Sequence, residues 1–331
     1  MLNAAIVGLG WWGRNIMTLV ERSTKIRVTR VVDPMSEAQQ WAAARGIAAS
    51  ADIDDALADP AIGAVILCTP HSLHTAQIAR AAAARKHVFC EKPLALRYDE
   101  ARASIAACRA HGLVLGIGHE RRFEPPLLEL SRLARTGALG TLLQIEASFC
   151  QDKFVTLPPA NWRLDAREAP AGPLTATGIH MLDLAVSLLG PAASATAHVE
   201  RLGSAIANGD TLGALVHFRS GANLLLSAVL ATPFAGRLML YGNRGWAEVR
   251  DKAHPEAPEG WILTTCSTGN APASVEYPPA HAVLANLEAF ASAALGEAAY
   301  PIAPEEMLAT VAALEAIVTS AQSGRLEPVA A

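Results

Sequence analysis

Residues 4–13, Ala-Ala-Ile-Val-Gly-Leu-Gly-Trp-Trp-Gly, constrain the fold more than any other stretch. A short apolar strand runs directly into G-x-G-x-x-G. Gly8 allows a sharp turn, Gly10 removes a side chain where a pyrophosphate must meet backbone, and Gly13 lets the next helix lie close to the strand. The N–H groups at that helix's N-terminus then face the phosphates. Alone the pattern is weak, because a chain with 24 glycines produces spaced triplets in ordinary turns. Context strengthens it. A second strand, 27–32, ends in Asp33 about twenty residues after the glycines, where a carboxylate accepts hydrogen bonds from ribose hydroxyls and repels a 2′-phosphate. Pro34 follows, with no arginine close behind, which favours NAD and leaves NADP possible. The alternative, an Asp that only caps the next helix, explains less.

A chain of 331 residues exceeds what one hydrophobic core usually serves, so two domains are expected. We place them at 1–123, binding the dinucleotide, and 124–331, binding substrate and forming subunit contacts, with the final helix able to pack back on the first. The net charge is −4 and no run of lysines or arginines tracks a nucleic-acid backbone, so nucleic acid is not an expected partner. The N-terminal apolar stretch is too short and glycine-rich for a signal peptide or membrane span, and 224–236, the longest uncharged apolar run of note, reads as a strand. Cys68, Cys90, Cys108, Cys150 and Cys266 are widely spaced without C-x-x-C, the usage of buried reduced thiols in a cytoplasmic protein; zinc or another metal is not expected.

Strand and helix patterns alternate through the first third: helices 37–45 and 54–58, strand 64–68, helix 75–84, strand 87–90, helix 98–111 and strand 113–118. The apolar run 64–68 suits a parallel strand buried on both faces, and the alternation predicts an α/β, doubly wound parallel sheet of Rossmann type. Ligands sit off the carboxyl ends of such strands. Thr69-Pro70, Glu91-Lys92-Pro93 and His119-Glu120-Arg121-Arg122 all fall there. From residue 124 the pattern changes. Helix 125–135, strand 141–150, a loop to 170 and a helix 173–189 holding His180 and Asp183 precede strands at 195–202, 211–218, 222–230, 237–241, 246–250 and 261–265. Their close succession predicts a C-terminal α/β domain with a largely antiparallel open sheet, followed by helices 282–295 and 304–323.

Nearly end to end, the chain resembles the glucose-fructose oxidoreductase / inositol dehydrogenase / MocA (Gfo/Idh/MocA) family of nicotinamide-dependent oxidoreductases. The resemblance rests on Gly8-x-Gly10-x-x-Gly13, Thr69-Pro70 with His74, Glu91-Lys92-Pro93, Trp162-Arg163, Gly178-x-His180-x-x-Asp183, Gly245-Trp246-Ala247-Glu248 and the tail Ser320-Ala321-x-Ser323-Gly324. Glu-Lys-Pro at a strand end, with the upstream glycines, is the specific part.

The resemblance implies a catalytic Lys92, whose ammonium stabilises the oxygen left by hydride transfer, and burial beside a cationic nicotinamide would lower its pKa. It also implies His180 as the acid/base on the substrate hydroxyl. Asp183, one turn later, either orients that ring or serves packing. Gly8, Gly10, Trp11, Trp12, Gly13, Asp33, Thr69, Pro70, His74, Glu91, Lys92, Glu120, Trp162 and Arg163 are expected at the cofactor. Lys92, Glu120, Arg163, Asp165, Thr177 and His180 are expected at the substrate, and Arg121, Lys153 and the His281 region are further pocket candidates. One of the two tryptophans in the glycine loop is expected to cover the pyrophosphate and the other to pack under the helix.

The chain also departs from the family pattern. Many relatives carry an Asp four residues before the histidine; here that position is Ala176, which cannot move a proton. Either His180 works with Lys92 and water, or Thr175, Thr177 or Asp165 substitutes, or redox activity is lost. Glu120 stands where relatives often have Asn, to bind a substrate hydroxyl or to pair with Arg121 or Arg122. The leading expectation is an NAD(P)-dependent dehydrogenase or reductase interconverting a secondary alcohol and a ketone on a sugar, polyol or cyclic diol. A cofactor-binding sensor without turnover, and an enzyme that retains NAD and uses transient oxidation for elimination or hydrolysis, are the alternatives. The open sheet makes a homodimer or homotetramer the expected assembly.

Overall fold

The structure is a computed structural model that describes residues 1–330. It divides into two compact units, Met1–Glu120 with Ala282–Met307, and Arg121–His281 with Leu308–Ala331. In the first unit the order is β1 (Leu2–Val7), α1 (Trp11–Val20), β2 (Ile26–Val32), α2 (Ser36–Ala43), β3 (Ala48–Ser50), α3 (Asp54–Leu57), β4 (Ala64–Leu67), α4 (His74–Ala83), β5 (His87–Cys90), α5 (Tyr98–Ala110) and β6 (Leu115–Ile117). The six strands are parallel, in the order β3-β2-β1-β4-β5-β6, so the chain reverses direction across the sheet between β1 and β4. Every residue of β4 is buried, which is why that strand reads as a continuous apolar run. β3 was not expected; three residues are too few to show a period.

The second unit adds α6 (Pro125–Arg135), β7 (Leu142–Cys150), a π-helical turn (Leu174–Gly178), α7 (Ile179–Leu189), β8 (Ala192–Glu200), β9 (Thr211–Phe218), β10 (Asn223–Val229), β11 (Ala235–Gly242), β12 (Gly245–Asp251), β13 (Trp261–Ser267) and β14 (Ala273–Tyr277). The strands form one nine-stranded sheet, β14-β13-β12-β11-β7-β10-β9-β8-β15, with β15 at Glu327–Pro328. Every pairing is antiparallel except β7 with β10. Alternation sets its inner face. Leu212, Ala214 and Val216 of β9 share a core with Leu224 and Leu226 of β10 and with Ile179, Leu182 and Val186 of α7. The other face leaves Leu143 and Leu225 exposed. β14 escaped the sequence reading because almost all of it is exposed, so it carries no burial pattern.

Two helices end the chain, α8 (Ala282–Ala294) and α9 (Pro304–Ser323), and the compact units differ from a single division at 123/124 by taking Ala282–Met307 into the first. α8 and the first turn of α9 belong with the first unit, and the rest of α9 with the second. Leu287, Phe290 and Ala291 of α8 lie in its core; Phe290 meets Phe89 edge to face at 5.5 Å. Asn286 Nδ2 donates to the Ile117 carbonyl at 2.8 Å, and the Tyr300 hydroxyl donates to Asn286 Oδ1 at 2.7 Å. Gly116 admits the helix, since a Cβ there would stand 2.8 Å from both phenylalanine rings. Ala313, Leu314, Ala316 and Ile317 of α9 lie in the second unit's core. No helix among the described residues is long and apolar enough to cross a membrane.

Candidate active site

The first unit contains a cradle built by backbone geometry. Gly8 has φ +90, and a Cβ there would lie 2.9 Å from the Cys68 carbonyl; one on Gly13 would lie 2.2 Å from Gly8 O. At Gly10, by contrast, nothing lies within 4 Å of the missing Cβ. Gly8 and Gly13 therefore close-pack strand on helix, while Gly10 keeps the phosphate side open. α1 has no side-chain cap on its first N–H groups, which suits an anion. Trp12 packs against the core, and its indole Nε1 is buried with no partner among the described residues; Trp11 is exposed. Asp33 is buried, accepting from Leu9 N at 2.7 Å through Oδ2 and from Met35 N at 2.9 Å through Oδ1. These bonds lock the glycine turn to the end of β2. The fold also supplies an arginine that reading onward from Pro34 did not. Arg14 of α1 donates to Leu9 O at 3.2 Å and to Glu37 of α2 at 3.0 Å.

At the end of β4, Thr69 Oγ1 donates to Gln77 Oε1 at 2.6 Å, and His74 is fully buried at the start of α4. At the end of β5, Glu91 is buried and Lys92 half-buried. The Glu91 carboxylate packs on Gly118, just past β6, where a Cβ would stand 2.5 Å from Oε2. Three adjacent parallel strands thus present Thr69-Pro70, Glu91-Lys92-Pro93 and His119-Glu120 at their carboxyl ends, as the sequence implied.

The second unit carries Trp162, Arg163, Asp165, Thr177 and His180. His180 is buried at the start of α7, its ring centroid 5.8 Å from that of Phe149. The residues that could stand in for a carboxylate at Ala176 each make hydrogen bonds of their own. Thr175 Oγ1 donates to Gly172 O, and Thr177 Oγ1 to Phe149 O at 2.9 Å. Asp165 is held by Arg167 through side chain and backbone, which keeps its carboxyl below the usual range and makes it a poor base. Ala176 itself packs on an apolar cluster of Leu164, Ile206 and Leu230 with Phe154 and Leu157. Asp183 accepts from Arg122 Nε and Nη2 at 2.7 Å each.

Arg121, expected near substrate, is instead buried in an ionic cluster. It donates to both oxygens of Glu124 at 3.1 and 3.0 Å and to Asp251 at 2.6 Å. Burial pushes the Glu124 carboxyl up to about 7, with Asp251 adding to it and Arg121 opposing. The Trp162-Arg163 segment is held from behind. Asn208 Nδ2 donates to Arg163 O at 2.9 Å and to Ala169 O at 2.7 Å, while the Arg163 guanidinium lies 4.2 Å over the Trp162 ring. The sequence reading missed a group beside His180. Phe149 also meets His254, at 5.7 Å, whose Nε2 donates to Gln151 Oε1 at 2.7 Å while Nδ1 accepts from Lys153 at 3.0 Å. Burial first, then the charges of Lys153 and Arg121, lower His254 to about 4, so its ring is neutral. No spacing signal could have found it, since Gln151 and His254 are 103 residues apart.

A glycine cradle with an acidic β2 terminus, and a lysine past β5, define a dinucleotide-binding oxidoreductase. Comparison with known proteins agrees. The profile described as "Oxidoreductase family, NAD-binding Rossmann fold" matches residues 2–119, and that of the "GFO/IDH/MocA C-terminal domain" matches 127–248. The chain belongs to the GFO/IDH/MocA family. It is 28% identical over 313 residues to a 1,5-anhydro-D-fructose reductase of Ensifer adhaerens, covering 91% of this chain and 92% of that one. It is 28% identical over 266 residues to the uncharacterized oxidoreductase YrbE of Bacillus subtilis, covering 77% and 75%. Several other curated relatives are matched over about half of their own length. Among solved structures, the aldose-aldose oxidoreductase from Caulobacter crescentus superposes with a TM-score of 0.87 at 27% identity, covering 99% of each chain.

Proposed function

We propose that this protein interconverts a secondary alcohol and a ketone on a sugar, polyol or cyclic diol, with Lys92 and His180 as its catalytic residues. The observation that carries this is Lys92 at the carboxyl end of β5, in the same unit as the glycine cradle. The 1,5-anhydro-D-fructose reductase among its relatives supports a sugar-like substrate. Gly8, Gly10, Gly13 and the first turn of α1 hold the pyrophosphate, and Asp33 the ribose. NAD, when bound, accepts or returns the hydride. Lys92 Nζ donates a hydrogen bond to the substrate oxygen and stabilises charge on it. His180 Nε2 takes the hydroxyl proton in oxidation and returns it in reduction. Glu120, Arg163 and Asp165 are assigned to substrate hydroxyls. The exposed face of the nine-stranded sheet supports a homodimer or homotetramer, and the five free cysteines support a cytoplasmic location.

The test mixes purified protein with NAD or NADP and a panel of sugars, inositols and cis-dihydrodiols, following absorbance of the reduced nicotinamide. Lys92→Met should lower turnover by about 10²-fold or more while NADH binding persists; retained turnover removes Lys92 from the mechanism. The apolar surroundings of Ala176 favour one second reading, a sensor that binds NADH without turnover. It requires NADH binding by fluorescence and no reduction of any carbonyl on the panel.

A further inference from the structure

We propose that His74 is a positioning residue held as the imidazolium cation, tying the loop after β4 to the loop after β5 that carries Lys92. The ring is fully buried at the first residue of α4. Nδ1 lies 2.9 Å from the Pro93 carbonyl oxygen and Nε2 lies 3.1 Å from the Thr69 carbonyl oxygen. A carbonyl oxygen accepts and never donates, so each contact is a hydrogen bond only if that ring nitrogen carries a proton. A neutral imidazole has one N–H. In either tautomer a nitrogen lone pair would face a carbonyl lone pair at hydrogen-bond distance, away from water, which is unfavourable. The doubly protonated ring satisfies both oxygens.

The two acceptors bracket the chemistry. Thr69 follows β4, Pro93 follows Lys92, and β4 and β5 are neighbours in register, Leu67 beside Cys90. Thr69 is also tied to α4 through Gln77, so this helix joins the end of β4 to the loop after β5. Ionisable groups stand on the elements packed against α4, His87 of β5 and Tyr98 and Arg109 of α5 among them. On its own side stand His71, 5.8 Å away ring to ring, and the exposed Arg80, which is paired with Asp54. The β5 loop supplies Glu91 and Lys92, and Cys68 follows β4. α5, packed on α4, supplies Asp99 and Arg102, paired with each other on the surface, with Glu100 and the buried Cys108. Glu91, the carboxylate of that loop, is buried like the ring itself.

Only the consequence for Lys92 rests on the oxidoreductase reading; the protonation state stands apart from it. The first measurement is nitrogen-resolved NMR of the His74 ring in the intact labelled protein, from mildly acidic to mildly alkaline pH. Both nitrogens should show protonated shifts and two slowly exchanging N–H protons throughout. A bare-lone-pair shift at neutral pH overturns the proposal, and this holds even if no variant folds. The second is urea unfolding of wild type and His74→Gln. A raised folded pKa gives stability that is complete below the unfolded value near 6.5 and lost as pH rises through the folded value. The gap between the two proteins should therefore narrow as the solution becomes alkaline; a constant or widening gap overturns the cation. In turnover, His74→Gln should lower kcat by about tenfold or more with the KM for NAD nearly unchanged. Wild-type kcat in the variant removes the positioning role. Absence of wild-type turnover on every substrate counts against the oxidoreductase reading, and the NMR result still decides His74.

Discussion

Gly118→Ala tests whether the strand-end cluster is packed as described. Gly118 is absent from the residues with positive φ, so alanine is conformationally permitted and any effect must come from the added methyl. That Cβ would sit 2.5 Å from Glu91 Oε2 and 2.7 Å from Oε1 and Cδ, about 1 Å inside ordinary contact. The obstacle is the end of a side chain and can swing, but Glu91 is buried and its Oε2 lies 3.4 Å from the Lys92 amide, so relief disturbs the loop that carries Lys92. Overpacking of this kind costs about 1–3 kcal/mol. The assay is a double-mutant cycle by urea unfolding of wild type, Gly118→Ala, Glu91→Ala and the double variant. Removing the carboxylate makes room for the methyl, so the double variant should be about 1–2 kcal/mol more stable than the sum of the single effects predicts. Turnover of Gly118→Ala should fall about tenfold with NADH binding retained. A methyl equally harmful with and without Glu91 would refute the reasoning.

Three further outcomes are expected. Glu37→Gln frees the Arg14 guanidinium, 3.0 Å from Glu37, and removes a carboxylate near the acidic end of β2; kcat/KM with NADP should rise about tenfold relative to NAD, and an unchanged ratio would count against that pair. Asp210 is raised by burial but lowered more by bonds from Leu202 N, Ser204 Oγ, Gly203 N and Thr211 Oγ1, ending at about 2 against 3.8. A depressed folded pKa gives stability that is present above the unfolded value and lost as pH falls through the folded one. Wild type should thus lose about 2 kcal/mol relative to Asp210→Asn between about pH 4 and pH 2 in acid unfolding. Ala176→Asp places a carboxylate one turn before His180, favouring the imidazolium; the acid limb of kcat/KM against pH should move up by about one pH unit. Turnover appearing only in this variant would favour the sensor reading.

Local signals sufficed where one residue's chemistry depends on its near neighbours in the chain. The glycine triplet, the acidic end of β2 and the lysine after β5 fall on a turn or strand end whose apolar run announces it. So the parallel sheet and its ligand-facing loops could be read early. Elements that lean on distant partners could not. α8 has the composition of any apolar helix, and only its side chains against Phe89 and Ile117 assign it to the first unit. Arg121 and Arg122 look alike in sequence, yet one is buried between Glu124 and Asp251 while the other grips Asp183.

By itself, then, the amino-acid order determined a Rossmann sheet followed by a mainly antiparallel one, and which strand ends carry polar groups, because burial period and glycine sterics act over a few residues. Tertiary structure alone decided which charges are neutralised in the interior, that Ala176 lies among apolar side chains, and that both His74 nitrogens face carbonyl oxygens. Those outcomes depend on strand register and helix placement, which join residues far apart in the chain, and hydrogen bonding and desolvation change steeply over the last ångström of approach.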